Sequence, residues 1–421
     1  MKKNIFSLAV ILTSTAVFAQ HQKEELTPLN KLEQQTQALE YAVSNLQKLK
    51  VSGYIQTQYQ WGEDAASLKV GSRNENPKEP FNRMGVRRGR VKFAYEEGLT
   101  SSVFQIDMTE KGIGFKDVYL QIKDPWVGTI CFKAGIFDRP FGYEISYSSS
   151  RRESPERSTV YQTLFPDERD MGASFTLQPS KISPWHFLKL EAGLFAGNGI
   201  KQETDSKKDF IGHLTASDNF RSNGKWSIGV SYYNGRVYQG TENVYSMKGN
   251  ALVLISDASN IGKFSKREYF GTDAQLSLKS VVGLTQLRGE YLLGTQPGVR
   301  GGSKSPNSST LLSTDTYIRN FSGGYVMLIQ DLGRLPLSAV AKYDWYNPNT
   351  KVSDKEIGQK GTDKGDIAYY TLGLGFLWQA NNNIRIQAYY DIVKNETTEN
   401  LADFSSDIKD DLFTLRLQYK F

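Results

Sequence analysis

Cysteine is almost absent: Cys131 is the only one in 421 residues. No intramolecular disulfide can therefore staple the chain, and stability has to come from burial and backbone pairing. Histidine is scarce too, at three. His21, His186 and His213 stand far apart in the chain, with no Ser–Asp pattern beside them. That leaves no base to activate a hydrolytic nucleophile and no set of ligands for a metal, so the chain reads as a non-enzyme without a cofactor. Beyond the N-terminus no apolar run approaches the roughly 20 residues that a membrane-spanning helix requires, and mean hydropathy is -0.47. A helical membrane protein is excluded. Excess charge is small as well: the net value is +6, and Lys2 and Lys3 supply two of those charges. A balance so diffuse gives no case for a nucleic-acid partner.

What is plentiful is aromatic, with 23 Tyr and 22 Phe, alongside 37 Gly. The opening "MKKNIFSLAVILTSTAVFAQ" has two lysines, an apolar stretch from Ile5 to about Ala16, and Val17-Phe18-Ala19 as a small-residue cleavage site. This pattern predicts a secretory signal peptide over 1–19. In the following segment, 20–50, Leu29, Leu32, Thr36, Leu39, Val43 and Leu46 fall at heptad a and d spacing among Glu, Gln and Lys. The spacing predicts a short coiled-coil helix, its narrow seam serving self-association or packing on the body of the same chain.

From Val51 the texture changes to period two. In "VSGYIQTQYQW" Ile55, Thr57, Tyr59 and Trp61 share one face; in "FTLRLQYKF" Phe413, Leu415, Leu417, Tyr419 and Phe421 oppose Thr414, Arg416, Gln418 and Lys420. Sixteen such stretches of about ten residues, the length of a tilted membrane-spanning strand, run to the C-terminus. They lie near 51–61, 86–96, 99–109, 114–123, 128–138, 168–178, 186–196, 210–218, 225–234, 268–279, 283–293, 317–329, 337–346, 367–379, 383–393 and 411–421. Brief turns such as 281–282 alternate with long polar stretches such as 235–267, 294–316 and 347–366. That asymmetry belongs to barrels of outer membranes. The expected fold is all-β: a 16-stranded antiparallel transmembrane β-barrel over 51–421, its first and last strands paired and its apolar side chains facing outer-membrane lipid. A final strand ending on an aromatic also resembles the signal read by the barrel-assembly machinery.

With apolar residues outward, the other parity lines a lumen that carries twelve cationic and six acidic side chains. The densest piece is "RMGVRRGRVKF", where Arg88, Arg90 and Lys92 form a row; Lys133 lies further on. Guanidinium forks donate paired hydrogen bonds to oxyanions, but the same row can equally offset Asp107 and Asp117 on neighbouring strands. The stretch 139–166 has no strong strand pattern and is long enough to fold into the pore. Arg139, Arg151, Arg152 and Arg157 would then line a constriction.

"SGYIQTQYQ", "RRGRVKF" and "KAGIFDRPFGYEISYSSSRRESPERS" together resemble the phosphate-selective porin O and P family over Val51 to Phe421. Phe137, Pro140, Phe141, Gly142 and Glu144, followed by Glu156-Arg157-Ser158, are the most distinctive part. The resemblance implies a homotrimer of sixteen-stranded barrels whose inward loop and arginine row conduct small anionic solutes. The reading is of an outer-membrane porin for passive diffusion with anion, and potentially phosphate, preference. The alternative is a barrel-anchored surface binding or adhesion protein without conductance.

Overall fold

The computed structural model describes residues 28–220, 223–306 and 313–421; the leader expected at 1–19 lies outside them. The chain divides into two units at Lys48 and Leu49. In the first, α1 spans Pro28–Lys48. Pro28 opens it with a φ already suited to a helix, the interior is rich in Gln, Leu, Glu and Ala and free of Gly, and Lys48 complements the dipole in the last turn. Leu32, Leu39 and Val43 are exposed along one side of it.

In the second unit the period-two pattern becomes strands throughout. They are β1 Leu49–Gly62, β2 Phe81–Glu97, β3 Thr100–Thr109, β4 Gly112–Lys123, β5 Ile130–Asp138 and β6 Arg169–Leu177. There follow β7 Leu188–Phe195, β8 Asp209–Phe220, β9 Gly224–Tyr238, β10 Asn243–Lys248, β11 Ala251–Ser256 and β12 Phe264–Ser280. Last come β13 Gly283–Gly298, β14 Thr316–Asp331, β15 Leu337–Asn347, β16 Tyr369–Gln379, β17 Ile384–Asn395 and β18 Leu412–Lys420. All but β10 and β11 form one ring: each pairs antiparallel with the next, β9 passes to β12, and β18 returns to β1 with Tyr54 opposite Lys420 and Gly62 opposite Leu412. The result is a closed sixteen-stranded antiparallel barrel, with strands where the alternation places them.

Its polarity is the reverse of a soluble barrel's. On β18, Leu415, Leu417 and Tyr419 are 43–49% exposed on the outside, whereas Thr414, Arg416 and Gln418 are at most 4% exposed on the inside. On β16, Leu372, Leu374, Phe376 and Trp378 likewise face out. Closure leaves no strand edge unpaired, so the backbone is satisfied while an apolar belt remains outside.

The connections are short at one end and long at the other. Positions 98–99, 281–282 and 380–383 are among the short ones; 63–80, 139–168, 239–263, 348–368 and 396–411 are among the long. One long-end connection is short, the two residues Glu110 and Lys111 between β3 and β4. The stretch expected as a polar loop at 235–267 is a correction: it holds the β10–β11 hairpin. That hairpin pairs with the start of β14, and Tyr245 stacks on Tyr317 with centroids 4.3 Å apart. Local pattern alone could not find it, because its strands are six residues long and are held by neighbours distant in sequence.

Candidate functional site

The connection 139–168 lies within the ring, and its hydrogen bonds reach strands on several sides. It begins with Gly142 in the left-handed region at φ 62°. That turn aims the next backbone groups at the wall. Gly142 donates from its N–H to Ser231 Oγ at 2.9 Å, and Tyr143 and Glu144 donate theirs to the Glu290 carboxylate at 2.8 and 2.7 Å. Tyr161 and Tyr325 hydroxyls donate to the same carboxylate at 2.5 and 2.7 Å. Further along, Glu144 accepts from Lys342 Nζ at 2.9 Å and from the Ser158 hydroxyl at 2.5 Å. Arg288 donates to both oxygens of Glu153, and Arg385 donates to the carbonyls of Arg151 and Arg152. A short helix, α2 Thr159–Leu164, completes the loop.

On the β5–β14 side apolar contacts accompany these hydrogen bonds. Phe141, Tyr161 and Phe165 of the loop pack with Tyr233, Tyr269 and Phe321 of the wall, all at most 2% exposed. Phe141 and Phe165 lie 5.0 Å apart, and Phe165 meets Tyr269 edge-on at 5.7 Å. A buried aromatic core therefore fills that part of the interior, each ring removing a large apolar area from water.

Glu156 is the loop's strongest electrostatic anchor. Arg87 donates to it twice at 2.9 Å, Arg88 at 2.7 Å and Arg416 at 2.9 Å. Burial alone would push this carboxyl up; the three guanidiniums outweigh burial and hold it well below the ordinary Glu value. Glu168 is held down in the same way, with Arg157, Lys116 and Arg169 overcoming its burial. Strict alternation cannot turn consecutive Arg87 and Arg88 inward together. A register shift between Gln56 and Thr57 does so, because Gln56 pairs with Arg88 and Thr57 with Val86, leaving Arg87 as the extra residue of a bulge. A second shift pairs Phe104 with Val118 but Ile106 with Phe115, and it brings Lys116 to the inner face beside Asp117. Sequence reasoning missed Arg87 and Lys116. The signal was present: the outward apolar residues change parity, from Met84 and Val86 to Val91 and Phe93, and from Ile113 and Phe115 to Leu120 and Ile122.

Among the described residues, cavities adjoin the loop on both of its sides. One of about 560 Å³ lies toward the long connections and is lined by Lys69, Glu156, Lys342, Asp344, Asp391 and Asp410 among others. A second, of about 230 Å³, shares Glu156, Arg157, Gln162 and Lys304 with it and lies against β2–β4. A third, of about 280 Å³, lies toward the short turns, between Arg151, Glu153, Arg385 and the 332–336 connection. It shares no lining residue with the other two, and Arg152 and Ser154, each 2% exposed, belong to the loop segment between them.

The residues singled out from the sequence do not gather at one point. Arg88, Arg90 and Arg157 line the 230 Å³ cavity, but each is engaged: Arg88 with Glu156, Arg90 with Asp107 at 2.9 Å, and Arg157 with Glu168 and the carbonyls of Glu144 and Ile145. Arg139 lies elsewhere, 3.3 Å from Asp170. Lys133 sits over Tyr119 and Phe137, 5.0 Å from each ring, and Lys92 is half-buried further along β2. Arg151 borders the third cavity. Arg152 is buried with no hydrogen-bond partner on its three guanidinium nitrogens among the described residues. Its burial and the nearby Arg157 and Arg88 push its pKa well down, against Glu156 and Glu144.

No protein-family model matches this chain, and no curated protein matches it. Solved structures do. The outer membrane channel DcaP of Acinetobacter baumannii is similar with a TM-score of 0.53 at 13% identity, over 89% of this chain and 97% of that one. OmpF of Salmonella typhi, solved in complex with daunomycin, reaches 0.54 at 12% identity over 89% and 97%. OprB of Pseudomonas putida reaches 0.52 at 10% identity over 91% and 97%. At these identities the similarity is one of fold.

Proposed function

We propose that this chain is an outer-membrane porin, a passive diffusion channel for small solutes with a preference for anions. The observation that carries the reading is a closed barrel, apolar outside and polar inside, narrowed by an inward loop with water-sized space on both of its sides. An apolar belt on a ring without edges suits lipid, since neighbouring strands pair all the way round it. Fold likeness to a protein described as an outer membrane channel supports the same reading. Anion preference rests on the 230 Å³ cavity, where six cationic side chains face four acidic ones and low-dielectric walls would focus the field. Phosphate is the anion to try first, on the resemblance of the "RRGRVKF" and "RPFGYEISYSSSRRESPERS" segments to the phosphate-selective porins. Export through the leader at 1–19 and assembly by the barrel-assembly machinery belong to the same proposal. So does trimerisation aided by α1, whose Leu32, Leu39 and Val43 offer a coiled-coil seam at 50–65% exposure.

Planar-bilayer recording of the purified protein tests it. Discrete conductance steps are expected, with a reversal potential in a KCl gradient displaced toward the chloride potential, and phosphate is expected to reduce chloride current. An absence of steps would favour the adhesion alternative; greater permeability to potassium would remove the anion preference.

A further inference from the structure

We propose that Lys116 is the barrel-wall residue that sets charge selectivity in the outer vestibule, and that the arginine row beside it serves to seat the loop. The inference deepens the channel reading and rests on it. The ligand class is small oxyanions and halides, drawn to the 230 Å³ cavity against β2–β4.

Hydrogen-bond donors already in use separate the arginines from Lys116. Arg88 is bound to Glu156, and Arg90 is bound to Asp107, with side chains 4% and 7% exposed. Their guanidinium donors are occupied at contact distance, Arg88 by Gln56 and Glu156 and Arg90 by Asp107 and Ser149. Lys116 differs. Its ammonium makes no hydrogen bond to the described residues, and its nearest carboxylate oxygen is Glu168 Oε2, 3.6 Å away. That carboxylate is already held by Arg157 and by Arg169, the latter at 2.6 Å. Lys116 is also more open than Arg88 and Arg90, its side chain being 17% exposed while it lines the cavity; Arg87, at 25%, commits its donors twice to Glu156. An ammonium with no hydrogen bond to the described residues, facing water-sized space, offers an anion donors that the engaged guanidiniums have already committed.

Access favours the same place. β3 and β4 are joined by Glu110 and Lys111 alone, while the neighbouring long-end connections run over 63–80 and 139–168. The turn above this wall is the shortest at that end of the barrel. The register shift that turns Lys116 inward lies on the same two strands.

The test compares Lys116→Gln, Lys116→Glu and Arg88→Gln with the parent protein, by reversal potential in a KCl gradient and by thermal unfolding in detergent. Lys181→Gln, at an exposed lysine in the 178–187 connection, controls for surface charge. Lys116→Glu should lower the chloride-to-potassium permeability ratio by about threefold or more, as a local potential change of one or more kT would. Lys116→Gln should lower it less, and both should melt close to the parent. Arg88→Gln should destabilise the protein. A Lys116→Glu ratio unchanged from the parent, alongside a conducting barrel, overturns the inference and leaves the channel reading standing. A parent that conducts without anion preference, but whose ratio still falls with Lys116→Glu, removes the preference and keeps the role of Lys116. A parent that does not conduct ends both.

Discussion

At the scale of single residues, the interior is organised by carboxylates that each serve several donors. Glu156 holds three guanidiniums, and Glu290 accepts from two backbone N–H groups and two tyrosines. Removing one partner of a buried charged set leaves the others uncompensated, which costs about 3–5 kcal/mol. Glu156→Gln should therefore lower the thermal unfolding midpoint clearly, read by circular dichroism in detergent. Its pH dependence has a definite sign. The folded Glu156 carboxyl lies well below its ordinary value of 4.5, so its pairing contributes fully above that value and is lost as pH falls through the depressed one. The Glu156 contribution should be constant from neutral pH down to near 4.5 and fall below it, so Glu156→Gln should flatten the loss of stability in acid. Gly142 offers a separate prediction. A methyl group there would collide with the Tyr161 hydroxyl and with Glu290, at a positive φ that other residues adopt with strain. Gly142→Ala should loosen the loop by about 1–3 kcal/mol, seen as faster proteolysis within 143–157 while the barrel stays folded.

At the scale of elements, the inward loop is one object with two kinds of attachment. Its aromatic residues pack against the wall, and its charged residues are tied to strands on several sides. Replacing Ser146–Ser154 by a short Gly–Ser linker removes Glu153 and the carbonyls that Arg385 grips, while leaving Glu144 and Glu156 in place. Single-channel conductance should rise several-fold, measured in planar bilayers, with strand content unchanged by circular dichroism. The sixteen strands were legible in the sequence because an edge-free ring enforces alternation at every one of them. The seat of the loop was not, because Glu290, Lys342 and Arg416 lie more than a hundred residues from it and only closure brings them near. Arg87 and Lys116 fell between these cases: alternation was applied without a break, while the parity of the outward residues already marked where each bulge had to be.

At the scale of the molecule, β1 and β18 form the seam. Gly53 and Phe421 exchange two backbone hydrogen bonds of 3.0 Å. A side chain on Gly53 would meet Arg90 O and the Phe421 ring at 2.5 Å. Gly53→Val should therefore weaken closure and lower the temperature at which the compact form is lost on an unheated gel, by overpacking worth about 1–3 kcal/mol. The seam also orders events in time. It joins the most sequence-distant strands of the ring, and bringing such ends together costs more entropy than any hairpin does. Closure is expected to be the late, slow step of folding. Yet Tyr54 and Gln56, on the first strand, bind Ser149 of the loop, and Gln56 also binds Gln418 on the last. The narrowing of the lumen thus matures together with the ring itself, so the constriction is a product of closure and not something fitted afterwards into a finished barrel.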